Sequence, residues 1–510
     1  MEKLRIAYFL SEKNSNLGGA DQTLFMQAVL MNTHHDVMVV LPCDIRGKCN
    51  DKFQSKCEKY GVRYEILEYG TTYCMKAIDI VNYRNYVEKI EQFILNEGFD
   101  ILHSVQINLT LEYIARKHHI PHVMNIYSLQ EWEWQVSFPD IFPKYVSCDS
   151  EIYLNKWRKY LNCRGRCVRV YCDAQIGERK KRSKDKIVLG TSGVVCFYKN
   201  QLEIIKMVEQ EIKRGRKIEL LIAGRKDLSY ANDCERYIRE HHLQNNVQLI
   251  GFVEDMRRFL AKIDVYVCAS RRESFPASIV EAVSCNIPVI SSPVAGVPEI
   301  LHHKENAYLT NGYSAGELAT ALEELLEDDR AKRLNEILIN ERNTYEKYFS
   351  PEAVRRQLTD MYDSILEDAV YTGDMQIWND LQKQIAEAEA KVEKADLPEE
   401  DKMRMQSRLF YFLQIKNKIT AKECYIWGAG KWGNITRVLL QSLADDIRIK
   451  AFVDEKRRSP LGGIDVISKE EMDLQGDIVV FIGFVDRQEE AVSYMEERNK
   501  EILKDIFIIA

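Results

Sequence analysis

The feature that most limits the fold is a repeated alternation of short apolar runs with longer amphipathic stretches. LRIAYFL leads into LGGADQTLFMQAVLM, and DVMVVL, DILHSV and HVMNIY follow. Such a pattern builds parallel strands joined by crossover helices, because strands buried on both faces need helices to cover them. The alternation restarts near residue 186 with KIVLGTSG, IELLIAG, VQLIGF, VYVCAS and PVISS. It restarts once more at ECYIWGAGKWGNITRVLL, followed by RIKAFVDE, DIVVFIG and IFIIA. The expected fold class is therefore α/β, with two doubly wound Rossmann-like domains in tandem and a small Rossmann-like α/β domain at the end. Two such domains face each other across a cleft at the carboxyl ends of their strands, where ligands bind in open parallel sheets. The boundaries fall at 1–178, 179–345 and 421–510. The first junction is the charged stretch ERKKRSKDK. Between the second and third units the pattern is helical. YEKYFSPEAVRRQLTDMYDSIL is amphipathic, and the helix formers of 371–420 are interrupted near Pro398.

Composition narrows the classes. A chain of 510 residues is too long for one core. A formal charge of −7 argues against a nucleic-acid-binding protein. No run reaches 18 apolar residues, and the start MEKLRIAYFLSEKN is a strand pattern rather than a signal peptide. The 13 cysteines are scattered without zinc spacing, which reads as reduced thiols in a cytoplasmic protein. No metal site is expected.

The chemistry gathers in RRESFPASIVEAVSCNIPVISSPVAGVPEI, residues 271–300, where Glu273 and Glu281 stand with seven residues between them. VYVCAS is a strand whose end delivers Arg271, Arg272 and Glu273 to the cleft. Pro276 suits the first position of a helix, since its missing N–H is no loss there. A helix over Ser278–Ser284 then carries Glu281, and Asn286 is a stop residue that tolerates the left-handed conformation. The N–H groups opening that helix suit an anion such as a pair of phosphates. Spacing alone leaves open a surface helix with acids near its start.

This run resembles the donor-site motif of retaining glycosyltransferases with the GT-B fold, the family-four group. The likeness rests on ESFPASIVEA, IPVISS and AGVPEI and extends over about residues 4–368. It implies that Glu273 contacts the transferred sugar and that Glu281 binds the ribose of a nucleotide diphosphate donor. It implies further donor contacts at Arg225, Val253, Ser274, Phe275, Pro276, Ala277 and Ser278. Pro276 stands where the family usually has Gly. Lys199, in SGVVCFYKNQ, matches the family's diphosphate lysine, whereas Val194 occupies the place of its usual arginine. A leaving diphosphate needs such positive charge as the glycosidic bond breaks.

The resemblance also draws in Gly18 and Gly19, at the glycine-rich turn before the first helix. It points to His103, at the end of DILHS, as a catalytic or acceptor-side group, with a histidine merely closing the strand as the alternative. Tyr127 and Ser128 stand where the family commonly has a histidine. Residues 346–370 are expected to return to the first domain and complete the catalytic unit. The implied activity is transfer of a sugar from a nucleotide sugar, without a required cofactor, to a glycan or lipid-pyrophosphate-linked acceptor in bacterial surface polysaccharide assembly. A nucleotide-sugar epimerase and a non-catalytic nucleotide-sugar-binding scaffold are the rival readings.

In the third unit, GAGKWG supplies Gly428, Gly430 and Gly433 after a strand, and Asp454 ends the next strand. That is a dinucleotide fingerprint in the right context. Bound nucleotide and a structural or oligomerising role are both open, as is recruitment of a polysaccharide-enzyme partner. The domain is expected to be an independent appendage not needed for chemistry. Trp432 could stack on a ligand or simply pack, and Trp132 and Trp134 could line an acceptor groove. Finally, NKWRKYLNCRGRCVRV and ERKKRSKDK concentrate positive charge. They form either a solvated face or a peripheral contact with an anionic membrane at the inner leaflet.

Overall fold

The computed structural model describes residues 3–11, 19–43, 49–69, 83–106, 109–127, 143–172, 186–226, 228–367, 383, 386–395, 397–416, 419–457, 459–484, 487–501 and 504–509. Gly18, Ser128, Trp132, Trp134 and residues 178–185 of the basic junction lie outside the described residues.

The described strands form three sheets in which every pairing between strands is parallel. The first contains β1 (Arg5–Phe9), β2 (Asp36–Cys43), β3 (Arg63–Glu68), β4 (Ile101–Val105), β5 (His122–Asn125), β6 (Tyr145–Cys148) and β7 (Arg164–Cys167), in the order β3-β2-β1-β4-β5-β6-β7. The second contains β8 (Ile187–Ser192), β9 (Ile218–Ala223), β10 (Val247–Gly251), β11 (Val265–Cys268), β12 (Val289–Ser291) and β13 (Tyr308–Leu309), ordered β10-β9-β8-β11-β12-β13. The third contains β14 (Glu423–Trp427), β15 (Arg448–Val453), β16 (Val466–Ile467), β17 (Ile478–Ile482) and β18 (Ile506–Ile508), ordered β16-β15-β14-β17-β18. In each sheet the order reverses beside the first strand, at β1/β4, β8/β11 and β14/β17. At such a switch point the adjoining crossovers leave to opposite faces and open a crevice at the strand ends.

The central strands are apolar on both faces because helices cover both. β1, β4 and β17 are wholly or almost wholly buried. The first sheet is lined on one side by helix Gly19–Met31 and by the return helix Pro351–Leu366. Its Val354, Leu358, Met361, Tyr362 and Ile365 enter the core of β1 and β2. Ser350 caps that helix by accepting the Ala353 N–H at 3.2 Å, and Pro351 occupies its first turn.

The expectation of an independent third domain gives way. One continuous apolar cluster runs from the first sheet through helix Glu399–Lys416, with its buried Met405, Leu409 and Phe412, into the core of the third sheet. The break near Pro398 marks the start of that helix. Arg487 of the third domain also pairs with Asp233 of the second at 3.5 Å. Among the described residues, no helix is long and apolar enough to cross a membrane.

Candidate active site

The site begins where β8 and β9 end. Gly193 (φ +132°) and Gly224 (φ +145°) lie back to back, and a Cβ on Gly224 would fall 1.7 Å from the Gly193 carbonyl oxygen. Only glycines allow this approach. The Gly193 N–H donates to Ala223 O at 2.9 Å, and the Val195 N–H to Arg225 O at 2.8 Å. The stitched loops turn into a short 3-10 segment, Phe197–Lys199, ended by Asn200 in the left-handed conformation. Lys199 is thereby folded back over Gly193, with its Cε 3.3 Å from where a Cβ there would stand.

β11 delivers the opposing charge. The Arg271 N–H donates to Tyr198 O at 2.7 Å, and the Arg271 guanidinium lies 5.2 Å from the centre of the Phe197 ring. Arg272 lies likewise 5.2 Å from the Tyr198 ring. These contacts bring Glu273 into a close ion pair with Lys199, both side chains being mostly buried. Ser270 Oγ donates to Glu273 Oε1 at 3.3 Å. Burial alone would lower the Lys199 ammonium, but the Glu273 carboxylate and Tyr198 outweigh it and hold the lysine above its ordinary range. Lys199 is thus a fixed cation.

The helix that carries Glu281 runs over Ala277–Ser284, and Pro276 is its N-cap (φ −66°, ψ 113°) rather than its first helical residue. Its carbonyl oxygen still accepts the Ile279 N–H at 3.0 Å. Asn286 adopts φ +55° just past the helix, as a stop residue should. Glu281 faces back toward the cleft, and burial pushes its carboxyl up to about 7, against the opposing pull of Lys56 and Lys199. Burial exceeding compensation leaves a carboxylate ready to accept hydrogen bonds from a ligand.

Lys56 was not anticipated. It belongs to helix Asp51–Tyr60 of the first domain, where it looks like any surface lysine, and it donates to Gln22 Oε1 at 2.7 Å. Lys52 of the same helix lies 4.8 Å from the Phe252 ring, beside Val253. The cleft therefore has a cationic first-domain wall that the sequence alone does not reveal. Arg225 is half-buried at the end of β9, beside Lys199's loop. Ser274, Phe275 and Pro276 are buried, while Ala277 and Ser278 are partly exposed at the helix start.

On the first-domain side, Asp21 of helix Gly19–Met31 accepts the Ser11 N–H and hydroxyl, the latter at 2.7 Å, and so ties the end of β1 to that helix. Gly19 opens that helix, exposed, with free space where a Cβ would stand. His103 is a correction. It is fully buried behind the cleft, with Nδ1 2.7 Å from Tyr362 Oη and Nε2 2.7 Å from Asn125 Oδ1. Tyr362 is bonded in turn to Tyr8 at 2.6 Å. Burial pushes the imidazole down to about 3, so it is neutral, and both of its nitrogens are engaged. It ties the return helix to the first sheet. Tyr127 is also buried and bonds Asn125 at 3.0 Å.

The third domain's glycines do mainly structural work. A Cβ on Gly433 would fall 1.8 Å from Gly428 O, and one on Gly428 would fall 2.8 Å from Gly483 O. Of the three glycines in GAGKWG, Gly430, at the N-cap of helix Lys431–Leu443, leaves open space. Asp454 accepts three backbone N–H groups. Oδ2 accepts the Ala429 N–H at 2.9 Å, and Oδ1 accepts those of Lys456 and Arg457 at 2.9 and 3.0 Å. Burial would raise this carboxyl, but those N–H groups hold it below the ordinary range. Trp432 packs partly buried against the apolar cluster.

Residues 174–343 match the family model described as Glycosyl transferases group 1. Among proteins of similar sequence is the phosphatidylinositol N-acetylglucosaminyltransferase GPI3 subunit of Saccharomyces cerevisiae. It is 31% identical over 161 residues, which is 31% of this chain and 35% of that protein. The capsular polysaccharide biosynthesis glycosyltransferase CapM of Staphylococcus aureus is 26% identical over 190 residues, 37% of this chain and 49% of that protein. The chain thus spans about a third to a half of the length of these relatives. Among solved structures, a glycosyltransferase from Rickettsia africae superposes with a TM-score of 0.60 at 15% identity, covering 72% of this chain and all of that one. Anabaena HepE in complex with UDP does so with a TM-score of 0.57 at 17% identity, covering 71% of this chain and all of that one. Over residues 174–343 the chain therefore resembles the glycosyl transferases group 1 family, and about seven tenths of it shares the fold of these solved glycosyltransferase structures.

Proposed function

We propose that the protein is a retaining glycosyltransferase that moves a sugar from a nucleotide diphosphate sugar to a glycan or lipid-linked acceptor in bacterial surface polysaccharide assembly. The observation that carries this reading is the convergence of Lys199, Glu273 and Glu281 at the β8/β11 switch point, the crevice where open α/β sheets bind ligands. Glu281 would accept hydrogen bonds from the ribose hydroxyls, and the opening N–H groups of helix Ala277–Ser284 would meet the diphosphate. Lys199 shares its charge between Glu273 and the incoming phosphates. As the bond from the anomeric carbon to the diphosphate oxygen breaks, negative charge grows on that oxygen, and a fixed ammonium there lowers the barrier. The acceptor oxygen bonds to the anomeric carbon on the same face, and its proton passes to the departing diphosphate. Bound UDP in the similar HepE structure supports a uridine diphosphate donor.

In this reading the third domain is a structural partner of the first, since Asp454 is occupied by backbone N–H groups. Arg164 and Arg166, exposed on the edge strand β7, suit peripheral contact with an anionic membrane on the cytoplasmic side. The test is incubation with a panel of labelled nucleotide sugars. Transfer or slow donor hydrolysis supports the proposal. Epimer formation, or binding without turnover against every acceptor offered, would replace it with an epimerase or a scaffold.

A further inference from the structure

The donor loop is held from the opposite side of the cleft. Ser274, next to Glu273, is buried, and its hydroxyl donates to Oδ1 of Asp149, which follows β6 in the first domain. Ser150 Oγ lies 3.0 Å from the same Ser274 hydroxyl and also caps helix Glu151–Leu161, accepting the Tyr153 N–H at 3.3 Å. The contact is tight enough to demand a glycine. A Cβ on Gly296 would fall 2.4 Å from Ser150 Cβ and 2.8 Å from Ser274 O.

A second group crosses at the same place. Glu299 of the second domain accepts the N–H groups of Glu151 and Ile152, at 3.0 and 2.8 Å, and so supplies an acid to the start of a first-domain helix. Arg169 binds Glu299 at 2.8 Å and the Asp149 carbonyl at 2.8 Å, and its own N–H donates to Gln357 of the return helix at 2.8 Å. Asp149 is itself buried, and burial pushes its carboxyl up to about 7 despite the Ser274 bond. A polar group this deeply buried is costly unless it is bonded, so its hydrogen bond to Ser274 has a defined geometry to enforce.

We propose that Asp149 is a positioning residue for Glu273. By holding Ser274 it fixes the donor loop, and the Glu299 and Arg169 contacts make that hold depend on the two walls of the cleft being in register. The orientation of the donor-side carboxylate is therefore set partly by the acceptor-side domain. This rests on the glycosyltransferase reading only for its catalytic consequence. The hold itself is a property of the protein without ligand.

The test uses the full chain carrying Asp149→Val, Asp149→Asn, Ser274→Ala and the Asp149→Val/Ser274→Ala pair. Hydrogen exchange is read at the backbone amides of 272–275, together with UDP binding by calorimetry. A hydrogen bond to a charged group has an effect of about tenfold to a hundredfold on an equilibrium. Asp149→Val should speed exchange at 272–275 by about tenfold, and Asp149→Asn, which keeps an acceptor, should change it by no more than about twofold. Ser274→Ala should match Asp149→Val, and the pair should add little to either single change, because both remove one interaction. With a nucleotide sugar that the wild type turns over, kcat should fall about tenfold while KM stays within about threefold. Ser274→Ala decides the matter should Asp149→Val fail to fold.

Unchanged exchange in folded Asp149→Val or Ser274→Ala protein would overturn the proposal. So would equal damage from Asp149→Asn and Asp149→Val, or effects that simply multiply in the pair. Absence of UDP binding or turnover in the wild type would count against the glycosyltransferase reading and leave exchange to decide the hold.

Discussion

The second and third domains share a grammar: a first strand, a glycine turn, a helix, and an acid delivered by a neighbouring strand. They use it differently. In the second domain, Gly193 and Gly224 close the backbone so that Lys199 can fold over it, and the charges it meets remain oriented toward the cleft. Glu281 sits there with its carboxyl pushed up to about 7 by burial that the protein does not fully compensate. In the third domain, Gly428, Gly433 and Gly483 pack strand against helix, and the acid is satisfied by three backbone N–H groups that pull its carboxyl down. A glycine motif thus marks close packing. Under-compensated charge at the switch point is what marks a site.

The sharpest way to break this contrast is Lys199→Ala. It should cut turnover by about a hundredfold or more, with a much smaller change in UDP affinity, because the charge acts on the transition state. A loss confined to the donor KM would reassign the lysine to ground-state binding.

Glu281→Ala should weaken UDP binding by about tenfold to a hundredfold in calorimetry. The pH dependence follows from the raised carboxyl. In the folded protein Glu281 stays protonated up to about 7, above its ordinary value of 4.5, so its contribution to stability is present at low pH and declines as pH rises through 7. UDP binding should run the other way, tightening as the carboxylate forms, and Glu281→Gln should flatten that limb. Parallel pH profiles for the two proteins would dissolve the distinction between the domains.

On the other side of the comparison, Asp454→Ala should lower stability by about 1–3 kcal/mol through the orphaned N–H groups, yet leave UDP affinity at the cleft unchanged. Saturable nucleotide binding lost in this variant alone would give the third domain a site after all.

The smallest effect on chemistry is expected for His103→Phe. Stability should drop as Tyr362 and Asn125 lose a partner, while kcat holds within about threefold. Because the buried imidazole titrates near 3 rather than 6.5, it favours unfolding as pH falls below about 6.5, so the variant's acid unfolding should be shallower. A large loss of kcat with intact stability would return His103 to the acceptor site.

These residues also show what was legible in the chain. The three parallel sheets follow from the spacing of apolar runs, a local property. Glu273 and Lys199 could be singled out because they lie on loops that follow strands whose ends can be read from sequence, and Glu281 because it shares a continuous motif with Glu273. The sequence left two readings of His103 open because its environment is made by Tyr362, 259 residues away on the return helix. Lys56 and Asp149 were invisible for a related reason, since each acquires its meaning from the opposite wall of the cleft. No spacing reveals that Asp454 accepts three backbone N–H groups. The appendage was inferred from a charged, interrupted linker, while the apolar face of helix Glu399–Lys416 was binding the third domain to the first.

The return helix has a mechanical consequence. The chain passes from the first sheet to the second after Cys167 and comes back at Phe349 and Ser350, so the two domains are strapped together at two points. A body held by one strap can swivel, whereas one held by two is restricted to rocking about the line between them. Phe349, at the second strap, packs at a tilt against Phe275, two residues after Glu273, with ring centres 5.2 Å apart. Any rocking about that line would therefore be passed on to the loop that carries Glu273.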